Sequence, residues 1–455
     1  MPVRTIELYD YQKEAVDFLR VHSRAILGDE QGVGKSYPAI AAFDYLDGPK
    51  LIVSPSYLMY NWYRYLREMG HRDIAIVEGE RHQRYEALRS DAEWYLLNYE
   101  MLSRTIAKPN PRTNWGPEYV KELLERPWAG IIFDEAHKLR GRNTGWTSAT
   151  FKMLTLKYAP SRDARVILVT GTPIYNNPGD VWSYLKIIDP RTYTSYWRFV
   201  ETYCWMEYNG WAMDVVGVRD PEGYRGTLDQ YMIRRKLRDV YPELDEPVHH
   251  LVHLQLPQRW MDAHKQAKQK WILENPDTGE KKKLLELTSQ LRRLTGAMAP
   301  TKKAALKDFL SDHDAEQVVV WAWYHDSINA AESVVPKKRL IGVATGDTAP
   351  RDRDKLVEKL SSSKDGVLIA SLGALQMGAN IQSAHTMVFY EEDYLHTTND
   401  QALGRLNRRG QTEQVHVYHF LCEGTIDDNV HQIAKTRELV TGRALRELLI
   451  EDFKL

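Results

Sequence analysis

The sequence predicts an α/β protein made of two units, each built on its own parallel sheet. Three observations carry that prediction. Short apolar runs alternate with longer amphipathic stretches, and the alternation happens twice along the 455 residues. Within the runs apolar residues are consecutive rather than alternate, as in strands buried on both faces by helices. The chain is long enough for two separate cores, at roughly 100–200 residues per domain.

In the first half the runs are RAILGD (24–29), KLIVSP (50–55), DIAIVEG (73–79), EWYLLNYE (93–100), GIIFDEA (130–136) and RVILVTGT (165–172). In the second half they are QVVVWAWY (317–324), RLIGVATG (339–346), GVLIASLG (366–373), TMVFYEED (386–393) and QVHVYHFL (414–421). The stretch between the two sets differs. Residues 182–211 hold ten aromatics, from Trp182 to Trp211, and read as a helical or irregular subdomain. A small aromatic core is the plainer account, and a stacking platform for bases is the sharper one. Residues 258–310 read as helices, interrupted at 274–283 by turn residues and charge. The expected division is 1–190 for the first lobe, 191–300 for an aromatic-rich helical insertion and connecting segments, and 301–455 for the second lobe.

Lys and Arg total 61 against 62 for Asp and Glu, a net charge of −1. That excludes a globally cationic nucleic-acid coat but leaves room for a local basic surface. Residues 281–310 offer one: Lys281, Lys282, Lys283, Arg292, Arg293, Lys302, Lys303 and Lys307 face only Glu286 and Asp308. The stretch is either a contact for a phosphate backbone or a solvated helix face. Two cysteines, Cys204 and Cys422, cannot build a disulfide framework or a cysteine zinc site. The N-terminus lacks the apolar centre of a signal peptide, and no run approaches the length of a membrane span. A cytoplasmic protein is the expectation.

Four motifs carry chemistry. DEQGVGKS (29–36) follows an apolar run and precedes a helical stretch. A strand, a Gly-rich turn and a helix present free backbone N–H groups to phosphates. Gly32 and Gly34 would shape that turn, Lys35 would reach the β- and γ-phosphates, and the Ser36 hydroxyl would bind Mg²⁺. Asp29 stands where a strict phosphate loop has Gly. IIFDEAH (131–137) ends an apolar run in adjacent carboxylates that point in different directions. Asp134 could hold Mg²⁺ while Glu135 orients and deprotonates a water. VTGTPIYNN (169–177) ends a strand in small residues, with Thr170 and Thr172 beside Gly171 and Pro173, suited to sensing a γ-phosphate. QALGRLNRRGQ (401–411) places Arg405 and Arg408 three apart, one helical turn, so that they share a face. Two guanidiniums so placed could clamp a transferring phosphoryl group.

The order of these motifs resembles superfamily 2 helicase-like ATPases, and among them the Swi/Snf family of double-stranded DNA translocases. LYDYQ (8–12) resembles the family's adenine-reading segment, with Gln12 as the contact, and DEQGVGKS is similar to its DE-x-G-x-GK-T. LIVSPSYLMYNW (51–62), DEAHKLRGRNT (134–144), LVTGTPIYNNPGDVWSYLKIIDP (168–190) and MIRRKLRDVYPELDEP (232–247) look like further first-lobe segments. GVLIASLGALQMGANIQSAHTMVFY (366–390) and QALGRLNRRGQTEQVHVYHFLCEGTIDD (401–428) resemble second-lobe motifs, with Arg405 and Arg408 as arginine fingers. Leu375-Gln376 and Tyr394-Leu395-His396 depart from the family's Gly pair and Trp-Asn-Pro.

The resemblance implies α/β architecture with two RecA-like lobes, parallel sheets and helical insertions. It implies ATP and Mg²⁺ as cofactors, hydrolysis between the lobes, and movement along duplex DNA through sequence-independent backbone contacts. Ser54, Pro55, Tyr99 and Ser371, together with Lys302 and Lys303 of the basic stretch, are the expected nucleic-acid contacts. A monomer without appended targeting modules is expected. A strand-separating DNA or RNA helicase, or a nucleotide-gated binding regulator with vestigial hydrolysis, are the alternatives.

Overall fold

The structure is a computed structural model that describes residues 6–108, 117–171, 177–208, 213–274, 281–372, 374 and 381–436. Two compact units divide between Val240 and Tyr241. That boundary falls inside the expected 191–300 connecting stretch: residues 191–240 pack with the first unit and 241–300 with the second.

In the first unit the six apolar runs become β1 (Arg24–Leu27), β2 (Lys50–Ser54), β3 (Ile74–Ile76), β4 (Trp94–Asn98), β5 (Gly130–Asp134) and β6 (Arg165–Val169). An antiparallel pair follows, β7 (Cys204–Tyr208) and β8 (Met213–Val218), then the short β9 (Met232–Ile233). The main sheet has the order β3-β4-β2-β5-β6-β1-β9, and every neighbouring pair is parallel. Alternate residues of each strand enter opposite cores. Ile26, Leu51, Val53, Ile131, Phe133, Val166 and Leu168 share one. Ala25, Leu27, Ile52, Leu96, Ile132, Ile167 and Val169 share the other. This two-sided burial is why the runs are continuously apolar.

The second unit holds β10 (Val248–Leu254), β11 (Val318–Ala322), β12 (Leu340–Ala344), β13 (Val367–Ser371), β14 (Thr386–Phe389) and β15 (His416–Cys422). Their order is β10-β15-β14-β11-β13-β12, again parallel throughout. Val319, Trp321, Leu368, Ala370, Met387 and Phe389 pack on one face, and Val318, Val320, Val367, Ile369 and Val388 on the other.

Two expectations about the middle of the chain need correction. The aromatic stretch is not purely helical: after helices Val181–Ile188 and Tyr196–Tyr203 it enters the β7–β8 hairpin. Its inner rings, Trp182, Tyr184 and Phe199, do join the core, while Trp197, Trp205 and Tyr208 are exposed; Trp211 lies outside the described residues. β10 also escaped the sequence reading, because an edge strand reading VHHLVHL carries histidines where an apolar run was sought. The helical stretch from residue 258 holds, as helices Gln258–Glu274, Lys281–Arg293 and Thr301–Asp312. Among the described residues no helix is long and apolar enough to cross a membrane.

Candidate nucleotide site

In an open parallel sheet the loops beyond the strands' carboxyl ends are where ligands bind. The first-unit motifs all emerge there. β6 lies between β1 and β5, with Val169 opposite both Leu27 and Asp134. The loop after β1 and the acids at the end of β5 are therefore set on either side of Thr170 and Gly171.

The loop 28–35 is shaped by Gly32 and Gly34, whose φ angles of 83° and 85° lie in the left-handed region. A Cβ on Gly34 would also stand 3.0 Å from Gln12 Nε2. Gln12 is buried. Its Oε1 accepts from Tyr9 N and its Nε2 donates to Gly34 O at 3.0 Å. Tyr11 adds a hydroxyl bond to Val33 O at 2.9 Å. The helix Asp10–Val21 thus holds the loop by its first turn, and Gln12 sits where the sequence placed it.

Lys35 Nζ donates to Asp29 O at 3.0 Å and Glu30 O at 2.9 Å. The ammonium is curled into the concave side of its own loop. A Cβ on Gly171 would stand 3.6 Å from Lys35 Nζ and 3.1 Å from Gln31 Cγ, so the end of β6 closes against the loop. Ser36, half-buried, opens the helix Ser36–Ala41. Thr170 donates its backbone N–H to Leu27 O at 3.1 Å. Thr172 and Pro173 lie outside the described residues.

Asp29, the residue that breaks the strict loop pattern, has a structural job. Its side chain is 1% exposed and is held by Arg235, through the backbone N (2.9 Å), Nε (3.1 Å) and Nη2 (2.5 Å). β9 delivers Arg235 by pairing with β1, and Glu30 N and Leu237 N add bonds to Arg235 O and Glu30 Oε2. Asp29 is an anchor for the loop rather than a phosphate-facing group. Arg235 went unnoticed in the sequence because a basic segment 206 residues downstream carries no local sign of this pairing.

Asp134 and Glu135 close β5. Trp62 Nε1 donates to Asp134 Oδ2 at 2.7 Å, and Glu135 N donates to Oδ1 at 2.9 Å. Burial, and then the charge of Glu135, push the Asp134 carboxyl up to about 7, against the Trp62 and backbone bonds and the Lys35 ammonium. Glu135 itself has φ 48°, left-handed for a non-glycine residue, at a cost on the order of 1–3 kcal/mol. Its Oε2 lies 3.1 Å from His137 Nδ1. A buried carboxyl raised by a neighbouring acid, within the field of the Lys35 ammonium, is a group whose charge a Mg²⁺-bound triphosphate would balance. Asp134 and Ser36 would hold the ion. Trp62 is the other residue the sequence reading passed over, although it closes the quoted segment 51–62.

Arg405 and Arg408 belong to the second unit. The helix His396–Leu403 stops at Gly404, so both arginines lie in the following turns and do not share a helix face, contrary to expectation. Backbone bonds fix those turns instead, among them Arg405 N to Ala402 O (3.1 Å), Ile381 N to Arg405 O (3.0 Å) and Gln411 N to Arg408 O (3.0 Å). The His396 end of that helix is set by Asn399, which exchanges two 2.9 Å bonds with Asp393. Leu375 and Gln376 lie outside the described residues.

The suggested nucleic-acid contacts divide. Ser54 and Pro55 are buried, and Ser54 Oγ is spent on Pro55 O. Tyr99 is buried, its hydroxyl donating to Asp134 O at 2.7 Å, so it supports the acid pair and presents nothing to solvent. Lys302 is also corrected: it is 1% exposed, paired with Asp427 at 2.8 Å and bonded to Tyr390 O at 2.8 Å. Arg292 is buried as well, reaching Glu392 O. A basic stretch on an amphipathic helix sends some of its cations inward, and charge counting cannot tell which. Lys303 is half-buried, Ser371 half-buried at the end of β13, and Lys307 exposed.

Comparison with known proteins assigns most of the chain to two family models, and the first of them runs past the structural boundary at residue 240. Residues 11–298 match the model of the SNF2-related domain, and residues 301–410 match the helicase conserved C-terminal domain. The ISWI chromatin-remodeling complex ATPase ISW2 of Saccharomyces cerevisiae is 24% identical over 474 residues, covering 94% of this chain and 40% of its own length. The DNA annealing helicase and endonuclease ZRANB3 of Homo sapiens is 24% identical over 459 residues, covering 96% of this chain and 40% of its own. The chain therefore spans about two-fifths of these curated relatives. A solved structure, the Sulfolobus solfataricus SWI2/SNF2 ATPase core in complex with dsDNA, covers 99% of this chain and 96% of its own at 18% identity and a TM-score of 0.45.

Proposed function

Because the chain belongs to the SNF2-related family, we propose that it is an ATP hydrolase that spends each turnover on movement along duplex DNA. One observation carries the reading: Lys35, Asp134 and Glu135 are gathered beyond the carboxyl ends of neighbouring strands of one sheet, around the seam between β1, β6 and β5. Gln12 would read the adenine from its place beside Gly34. Lys35 would leave the carbonyls of Asp29 and Glu30 for the β- and γ-phosphates, exchanging two neutral acceptors for an anion. Mg²⁺, when bound, supplies charge neutralisation at the β- and γ-oxygens. Asp134 and Ser36 would hold it. Glu135 would orient the attacking water and take its proton, with His137 steadying the carboxylate. The second unit would supply Arg405 and Arg408 to the same triphosphate, so that hydrolysis demands closure of the two units. DNA would be held by phosphate contacts, without sequence preference and with strong salt dependence. A monomer suffices for this scheme.

The test compares ATP turnover with duplex DNA, single-stranded DNA and RNA, together with displacement of a third strand from a triplex. Duplex DNA should stimulate turnover most, and the third strand should leave without separation of the duplex. Glu135→Gln should keep ATP binding while turnover falls by roughly 10²–10⁴. Turnover indifferent to duplex DNA would overturn the translocase, and a near wild-type rate in Glu135→Gln would remove that residue from the base role.

A further inference from the structure

Away from the nucleotide loop, three groups from three elements of the second unit converge. Glu392 lies just past β14, His419 on β15 and His431 on the helix Ile426–Thr436. Their candidate ligand atoms all lie within 4.8 Å of one another. His419 Nδ1 is 2.5 Å from Glu392 Oε1, and His431 Nδ1 is 2.9 Å from Glu392 Oε2. Glu392 and His419 are buried, whereas His431 is half-buried, so the cluster is reached from one side. Two imidazoles and one carboxylate form a recurrent donor set of open zinc sites.

The surroundings add a second feature. His249 on β10 places its Nδ1 2.9 Å from His419 Nε2, with the two rings stacked at 5.2 Å. A ligating histidine is usually oriented by an outer partner on its other ring nitrogen, and His249 occupies that place. The strand register arranges it: Leu251 faces His419, which puts His249 diagonally beside it on the same sheet face. The proposed hydrolysis uses none of these four groups.

We propose that Glu392, His419 and His431 bind one divalent transition-metal cation, Zn²⁺ by ligand type, with water in the fourth position. The ion ties the segment leading to Arg405 to β15 and to the helix Ile426–Thr436. A tetrahedral ion with bonds of about 2.1 Å holds its ligands roughly 3.4 Å apart. The ligand atoms already lie within 4.8 Å of one another, so no pair changes its separation by more than about 1.4 Å, a side-chain adjustment. His419 gives its Nδ1 lone pair to the ion, carries its proton on Nε2 and donates it to His249 Nδ1. Coordination needs no oxidant or reductant.

The experiment uses the full chain, stripped with a chelator and then titrated with Zn²⁺ against a chromophoric competitor, with bound metal counted by mass spectrometry. Wild type should retain one tightly held Zn²⁺ per chain. His431→Gln, at the half-buried member of the cluster, should lose it. His249→Ala should keep the site but weaken it roughly 10–100-fold, as loss of an outer partner does. Co²⁺ in place of Zn²⁺ should give visible absorption in wild type and none in His431→Gln. Wild type binding Zn²⁺ no more tightly than His431→Gln would overturn the proposal, leaving a hydrogen-bonded cluster that holds no metal.

Discussion

Replacing Trp62 by Phe probes the acid pair through a single atom. The substitution keeps a ring against Tyr65 but removes the N–H that reaches Asp134 Oδ2 at 2.7 Å. A hydrogen bond to a charged group contributes about 1.5–3 kcal/mol. At about 1.4 kcal/mol per pKa unit, its loss raises the pKa at which the Asp134–Glu135 pair ionises by roughly one to two units. The starting point is already high, at about 7 for Asp134, because the site is buried and Glu135 stands beside it. Protons and Mg²⁺ compete for the same carboxylate. In wild type, Mg²⁺-dependent ATP binding should weaken as pH falls through neutrality. In the variant the same loss begins one to two units higher. At about pH 7.5 the ionised share drops from about three-quarters to between about a quarter and a few per cent, so the apparent Mg²⁺ affinity falls roughly 3–25-fold. The two proteins should converge above about pH 10, where the carboxyl is ionised in both. Mg²⁺ titrations of ATP turnover across that range, supported by binding of a fluorescent ATP analogue, give the comparison. Superimposable Mg²⁺ curves for the two proteins at every pH would refute the assignment of Asp134 to the ion and of Trp62 to its tuning.

Other consequences are sharper for folding than for chemistry. Arg235→Ala removes both side-chain bonds to a buried carboxylate, and breaking such a pair costs about 3–5 kcal/mol. The Arg235 N–H bond to Asp29 survives, which favours the lower end, and amide exchange in residues 28–34 together with urea unfolding should register it. Unchanged exchange would show that the loop holds its shape without β9. Lys302→Met leaves Asp427 buried without its ammonium and should destabilise the second unit by a similar amount. The slope of log DNA affinity against log salt should stay at its wild-type value; a flatter slope would return Lys302 to a phosphate-contacting role. Tyr99→Phe deletes only the bond to Asp134 O, and should affect turnover while leaving DNA affinity unchanged.

The failures of sequence reasoning share a cause. The eleven runs read as strands are strands, since a strand buried on both faces leaves an unbroken apolar signature whatever its neighbours are. β9, β10 and the β7–β8 hairpin lie at sheet edges or outside the main sheets, where burial is one-sided and the signature fades. Arg405 and Arg408 look helical by spacing, yet Gly404 releases the chain from the helix before either is reached. The basic stretch from 281 shows the same blindness in charge: Lys302 and Lys303 are adjacent letters, one sealed against Asp427 and the other half-exposed.

What the amino-acid order determined alone is therefore the local grammar: two sets of buried strands, glycines at 32 and 34 whose missing Cβ permits left-handed turns, and a lysine and two acids placed where strands end. Tertiary structure decided who answers whom. It set Arg235 under Asp29, Trp62 and Tyr99 against Asp134, and Asp427 against Lys302. Those pairings join residues that the chain keeps far apart. Their energies come from excluding water around a charge, and only a packed interior can do that.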